Sequence, residues 1–357
     1  MTSKIIDLRS DTTTLPTSRL IKDMINAEVG DYAYGEDKAY NELVEYCKNL
    51  FKVEDAIFVT SGMLANRLAI MSQSEPGDEI ITEYGYHINF FDSGATAKVC
   101  GVVLNCIHSN KGIITVNNIQ KAINSKPRYK TFAQVKLVII ENTINSRQGK
   151  VFPFTIQKKI YKYLQDHNIN LHLDGARIFN AHIKTQVPLS EYAKYCDTIS
   201  FCFSKSLGAP FGSMLLGKKD IIEKAKRYQT WLGSGFHQIG FQAKAAQYAI
   251  KNHISKIKID HYNAELLASM LSNIKEIKLL GSTETNMVSF DISNLKVTND
   301  IFLDYCAMNG LLLFPWLEGQ IRAVLHMGVT KTDIEKAYQI IKNCIQKIKK
   351  AKNENKN

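Results

Sequence analysis

Three short stretches of this chain place reactive side chains where apolar runs end. Asp174 closes Leu171-His172-Leu173-Asp174, and Lys205 follows the run Thr198–Phe203 within Ser204-Lys205-Ser206-Leu207-Gly208. Ser61-Gly62 separates the run Ala56–Thr60 from a helical pattern that starts at Met63. In open α/β sheets, ligand groups collect at the carboxyl ends of strands. A helix start there offers unpaired backbone N–H groups and a positive dipole end to a phosphate. An amine able to form an imine, a carboxylate able to keep a pyridinium nitrogen protonated, and an anion cup are together what pyridoxal phosphate requires. Singly each signal is weak, since a buried Asp more often caps or pairs and Ser-Lys is common. Their joint order carries the reading: one helix and one strand fit between Asp174 and Lys205, so both side chains can reach one sheet edge.

The elements that must position them alternate. Ala56–Thr60, Glu79–Thr82, Lys136–Glu141, Leu171–Asp174, Thr198–Phe203 and Ser213–Leu216 read as strands, with helical patterns at Met63–Ser72 and 155–167. In the latter, Ile156, Ile160, Tyr163 and Leu164 share one helical face. Strand–helix alternation predicts an α/β fold, a mostly parallel sheet with helices on both sides. Beyond about residue 250 the texture changes to a helical stretch (256–276), short strands at Val288–Ile292 and Gln320–Leu325, and a final helix with a capping box of Thr332 and Glu335. The division expected is a large domain over 1–250, whose N-terminal segment 1–15 contributes to the site, and a small α/β domain over 251–357.

Composition narrows the class. A hydrophobic fraction of 45% with 22% charged residues fits a soluble globular protein. Seven scattered cysteines, odd in number and with no C-x-x-C pair, fit reduced thiols better than a disulfide framework or a zinc site. Residues 1–15 lack the apolar run of a signal peptide, and no stretch approaches the roughly 20 apolar residues of a membrane span. The expectation is a cytoplasmic protein with no metal, no membrane partner and no nucleic-acid partner. The formal charge of +11 is partly a crowded tail (Lys347, Lys349, Lys350, Lys352, Lys356) and reads as solvated surface, with no aromatic stripe for nucleic acid.

Further motifs follow in order: Asp7-Leu8-Arg9-Ser10-Asp11-Thr12; Gly30-Asp31 with Tyr34-Gly35-Glu36-Asp37; Glu141-Asn142-Thr143; His172-x-Asp174-Gly175-Ala176-Arg177; Ser204-Lys205-x-Leu207-Gly208-Ala209-Pro210-x-Gly212-Ser213; and Ile321-Arg322-x-Val324-x-His326. With these the chain resembles the low-specificity L-threonine aldolases over nearly its whole length. That resemblance implies a pyridoxal-phosphate enzyme that cleaves the Cα–Cβ bond of threonine, allo-threonine or a related β-hydroxy-α-amino acid to glycine and an aldehyde. It implies that Lys205 holds the cofactor as a Schiff base, Asp174 holds the pyridine nitrogen, and His87 stacks on the ring near the substrate hydroxyl. Ser61, Gly62, Met63 and Ser204 would complete the cofactor site, and Arg177 would lie beside it. Ser10, Arg322 and Arg177 would bind the substrate carboxylate, a task suited to a forked guanidinium, with Phe91 and Thr131 at the substrate. A homo-oligomer, dimer or dimer of dimers, is implied, with Leu232–Gln238 reaching a neighbouring subunit.

Departures from the pattern gather around the substrate. Gly62-Met63 stands for Gly-Thr, Thr131 for a second histidine, Thr143-Ile144 for Thr-His, His237 for an arginine, Thr230 for a lysine, and Leu325-His326-Met327-Gly328 for Thr-His-Leu-Asp. They keep a second reading open, the same cofactor with a different bond broken: β-elimination, racemisation or transamination. A basic interaction protein on an inherited scaffold is a third, disfavoured by retention of Lys205, Asp174 and Arg322.

Overall fold

The computed structural model of the chain describes residues 4–127, 129 and 131–354; Lys356 at the end of the basic tail lies outside the described residues. Contacts divide the chain into two compact units. One comprises Pro16–Arg147 and Val151–Ile254; the other comprises the described parts of Met1–Leu15 and Ser255–Asn357, with Gln148–Lys150.

The first unit is built on seven strands. Their spatial order is Asp55–Val59, Ser213–Gly217, Thr198–Cys202, Asn170–Asp174, Val135–Glu141, Glu79–Glu83, Val103–Ile107. Ser213–Gly217 runs antiparallel to both its neighbours, and all the other adjacent pairs are parallel. The continuous apolar runs expected of buried parallel strands are there: Leu137 to Ile140 are all buried, as is the whole of Thr198–Cys202. Because these strands point one way, the residues following Val59, Glu83, Glu141, Asp174 and Cys202 emerge at one edge. Helix Gly62–Met71 packs against Thr198–Cys202 and Ser213–Gly217, and helix Phe154–Gln165 against Asn170–Asp174. Among the described residues, no helix is long and apolar enough to cross a membrane.

The second unit holds a four-stranded antiparallel sheet, ordered Phe314–Leu317, Gln320–Val324, Met287–Asp291, Lys278–Leu279. Helices Ile257–Leu271, Asn299–Met308 and Lys331–Glu354 supply its core with Leu267, Phe302 and Ile341. Residues 4–15, placed with the large domain in the sequence reading, belong to this unit instead. Ile6–Asp7 pairs in parallel with Leu311–Leu312, Ile6 and Leu8 are buried in its core, and Val324 N donates to Leu8 O at 2.8 Å. The unit boundary on the C-terminal side falls at Ile254/Ser255. The last helix starts two residues earlier than its apparent capping box. Thr330 is the cap: Asp333 N donates to its Oγ1 at 3.2 Å, and Thr330 N donates to Asp333 Oδ2 at 2.9 Å. Asp333 also pairs with Lys4 at 2.6 Å, which favours this frame over Thr332 with Glu335.

Asp260 is buried within this unit, and burial, reinforced by the charge of Asp11, pushes its carboxyl up to about 8. The folded unit therefore holds a proton that the unfolded chain releases near pH 3.9. A raised carboxyl costs stability as pH rises from that value to the folded one. Asp260→Asn is expected to raise stability by about 1–3 kcal/mol at pH 8 and to change little at pH 4. Thermal melts of both proteins across that range check this; parallel curves would contradict it.

Candidate active site

The sheet edge gathers what the sequence scattered. A pocket of about 180 Å3 is lined by Ser61, Gly62, Met63, His87, Asp174, Ser204 and Lys205, together with Asn66, Ala176 and Cys202. All belong to the seven-stranded unit. Ser61 is the N-cap of helix Gly62–Met71, its Oγ accepting from Leu64 N at 3.2 Å. That bond satisfies one of the first-turn donors and leaves the helix start with its dipole toward the pocket. A Cβ at position 62 would meet Cys202 Sγ at 2.8 Å, so any larger residue there requires the Cys202 side chain to shift. Lys205 and Ser204 are half-buried in the connection after Thr198–Cys202, with Ser204 Oγ donating to Gly212 O at 3.5 Å.

Asp174 is buried at its strand end, opposite Glu141 and Ser200 on the two neighbouring strands. Its Oδ2 accepts from Asn66 Nδ2 at 2.7 Å and its Oδ1 from Ala176 N at 3.0 Å. Burial raises the carboxyl, but the charges of His87 and Lys205, the Asn66 bond and His172 outweigh it, and the net shift is downward. Glu141 shifts the other way. Burial and the Asp174 charge raise it, although its oxygens accept from His87 N at 2.6 Å and Asn145 N at 2.7 Å. Of this coupled pair, Asp174 is the anion.

His87 is half-buried at the start of a short helix, with no hydrogen-bond partner for Nδ1 among the described residues. Burial lowers its pKa, Lys205 and Arg177 lower it further, and Asp174 and Asp92 oppose them. Its ring lies 5.1 Å from that of Phe91, which is half exposed. Arg177 is buried just before helix Ile178–Thr185, its Nη1 donating to Asn145 Oδ1 at 3.4 Å.

The remaining sequence candidates lie elsewhere. Thr131 sits in an exposed turn ahead of strand Val135–Glu141 and does not line the pocket. Ser10 and Arg322 belong to the other unit. There Ser10 caps a short turn, its Oγ accepting from Thr12 N at 3.2 Å. Arg322 lies over the rings of Phe314 and Trp316, at 4.6 Å and 5.0 Å, and donates from Nη2 to Arg9 O at 3.3 Å. In the same unit His326 accepts at Nδ1 from Gly328 N, so Nε2 carries the proton and donates to Asp7 O at 2.9 Å. Asn66 was missed in the sequence. Its signal was a lone amide inside the mostly apolar stretch Met63-Leu64-Ala65-Asn66-Arg67-Leu68-Ala69-Ile70, one turn from the helix start. Among the described residues, no group of three or more His, Cys, Asp and Glu could hold a metal ion.

Residues 7–293 match the model of the beta-eliminating lyase family. The chain is 33% identical to low-specificity L-threonine aldolase 1 of Arabidopsis thaliana, over 94% of each chain. It is 38% identical to the low specificity L-threonine aldolase of Escherichia coli strain K12, over 75% of this chain and 79% of that one. Its fold is similar to that of a threonine aldolase from Leishmania major, with a TM-score of 0.82 and 18% identity over 95% of this chain and 99% of that one.

Proposed function

The chain belongs to the beta-eliminating lyase family, and from that premise we propose that it is a pyridoxal-phosphate-dependent aldolase acting on threonine, allo-threonine or a related β-hydroxy-α-amino acid. It releases glycine and an aldehyde. One observation carries this: a single pocket brings Lys205, Asp174, His87 and the start of helix Gly62–Met71 together. The residues fit the cofactor. The pocket sets the amine of Lys205 and the carboxylate of Asp174 beside a helix start, and His87 keeps a buried nitrogen without a partner among the described residues.

Lys205 is the attachment amine, Asp174 the partner of the pyridine nitrogen, and Gly62 and Met63 with Ser61 and Ser204 the phosphate end. Pyridoxal phosphate supplies an electrophilic aldehyde and a protonated ring that takes up the electron pair left on Cα. Asp174, held as an anion, keeps the proton on that ring. His87, held neutral, accepts the proton of the substrate β-hydroxyl at a ring nitrogen. Arg177, buried in the same unit as the pocket, binds the substrate carboxylate, and Phe91, whose ring lies against that of His87, borders the side chain. A homo-oligomer, dimer or dimer of dimers, in the cytoplasm completes the reading. The test is direct: L-allo-threonine and L-threonine are added to the purified holoenzyme and the glycine and acetaldehyde released are measured. Ammonia and a keto acid in their place would assign β-elimination instead.

His87 gives a sharper prediction. Because its pKa is lowered, the neutral form persists to below the ordinary value of about 6.5, and activity falls only as pH drops through the lowered value. His87→Asn is expected to lower kcat about 10²-fold and to flatten that acid limb. A pH profile of kcat/KM for both proteins checks it; an unchanged limb in the variant assigns the limb to another group.

A further inference from the structure

From Asp174 a line of hydrogen bonds crosses three elements. Asn66 Nδ2 donates to Asp174 Oδ2 at 2.7 Å, while Asn66 Oδ1 lies 3.1 Å from His172 Nε2 and 3.1 Å from Ser200 Oγ. His172 Nδ1 lies 2.8 Å from Thr198 Oγ1, which in turn accepts from Gln73 Nε2 at 2.9 Å. His172, Asn66, Ser200 and Thr198 are all buried.

The direction of every bond follows from one fact. An ionised carboxylate only accepts, so the Asn66 amide must turn its nitrogen to Asp174 and its oxygen to His172 and Ser200. That oxygen also only accepts, so His172 must carry its proton on Nε2. Its Nδ1 is then a bare acceptor that takes the Thr198 hydroxyl proton, and the hydroxyl oxygen takes the Gln73 N–H. Nothing in the line can be reversed locally without leaving two donors or two acceptors face to face in the core, and such networks fix one arrangement. Burial pushes the His172 imidazole down to about 4, so it stays neutral and the direction holds at ordinary pH.

We infer that Asn66, polarised by the neutral Nε2–H tautomer of His172, is a positioning residue that keeps Asp174 ionised and aimed into the pocket. This rests on the assignment of Asp174 to the cofactor nitrogen. His172 does not line the pocket and acts through Asn66, which does. They act by supplying Asp174 with a fixed donor at Oδ2, against the proton that burial and the neighbouring Glu141 would otherwise favour. Ser200 and Thr198, one strand over, hold the two ends of that device.

The test uses the holoenzyme. In 15N-histidine spectra His172 should show the Nε2–H form with no titration between about pH 6 and 8; an Nδ1–H form overturns the inference without any variant. Glutamine reaches the place of a histidine Nε2 and asparagine only that of Nδ1. His172→Gln should therefore keep the wild-type pH midpoint of the cofactor's visible band, while His172→Asn and Asn66→Ala shift it by about one unit. The same two variants should lose about tenfold or more in kcat with KM within about threefold. Equal behaviour of His172→Gln and His172→Asn overturns the inference, as does an unshifted band in Asn66→Ala. Asp174→Asn separates the two levels. If it leaves the band unmoved, the assignment of Asp174 fails; if it moves the band while Asn66→Ala does not, only the role of Asn66 fails.

Discussion

Lys205→Ala is expected to lower aldehyde release from L-allo-threonine by at least about 10³-fold, the range of a positioned proton-transfer group or more. The expectation follows from where the side chain stands. It is the lysine that lines the pocket, half-buried, with its charge felt at both Asp174 and His87. Losing it removes the attachment amine and the proton carrier together, and no other pocket residue is an amine. Lys205→Arg should not rescue, because a guanidinium stays protonated and cannot act as a nucleophile at neutral pH. Borohydride reduction of the holoenzyme followed by peptide mapping gives the matching measurement: the label should sit on the peptide carrying Lys205. A variant retaining a tenth of wild-type turnover, or a label on another lysine, would defeat the assignment.

The second large effect is at Asp174. Asp174→Asn should reduce kcat by about 10²–10³-fold, the scale of losing one preorganised charge in a water-poor site. The substitution keeps the shape and one acceptor: the amide oxygen can still accept from Asn66 Nδ2, while its nitrogen faces Ala176 N. Asp174→Ala differs: Asn66 Nδ2 and Ala176 N both lose their acceptor, which costs about 1–3 kcal/mol for an unsatisfied buried group. The pH dependence has a definite sign. The Asp174 carboxyl is lowered in the folded chain, so the stability its ionisation contributes is complete above the ordinary carboxylate value and is lost as pH falls through the lowered one. Wild type and Asp174→Asn should thus converge in acid and diverge above it. Glu141 responds too. With the Asp174 charge gone, one cause of its raised pKa disappears, and its titration moves down. Melting curves over pH and single-turnover rates separate these effects.

How far the chain could be read in advance depended on the kind of signal. Strands buried on both faces announce themselves, and Lys136–Glu141 or Thr198–Phe203 lie within a residue of the observed elements. The edge strand Val103–Ile107 did not, because its residues are half-buried or exposed and carry no clean alternation. Ile6–Asp7 is two residues long and exists only through Leu311–Leu312, some three hundred positions away. No local pattern encodes such a pairing. In the last helix two overlapping Thr-x-x-acid patterns competed, and the choice between them was made by Lys4, again far in sequence. The site divided similarly. Lys205, Asp174, His87 and Ser61-Gly62 stood out because charge, turn chemistry and strand ends coincide there. Asn66 did not, since an uncharged amide in a helix has no pattern of its own. Thr131 was placed by resemblance alone, and its turn is exposed.

The antiparallel strand Ser213–Gly217 also bears on how the enzyme acquires its cofactor. Strand Thr198–Cys202 turns back on it through residues 203–212, and Cys202 pairs with Ser213 where the ladder ends. Phe203 N donates to Gly212 O at 3.0 Å and Ala209 N to Phe203 O at 3.1 Å, with Gly208 and Gly212 taking positive φ of 68° and 95°. The loop is therefore held by hydrogen bonds of its own backbone. Refilling a stripped enzyme should then be a collision with a ready-made receptacle, its observed rate climbing in proportion to added vitamer and showing no plateau from a slow rearrangement.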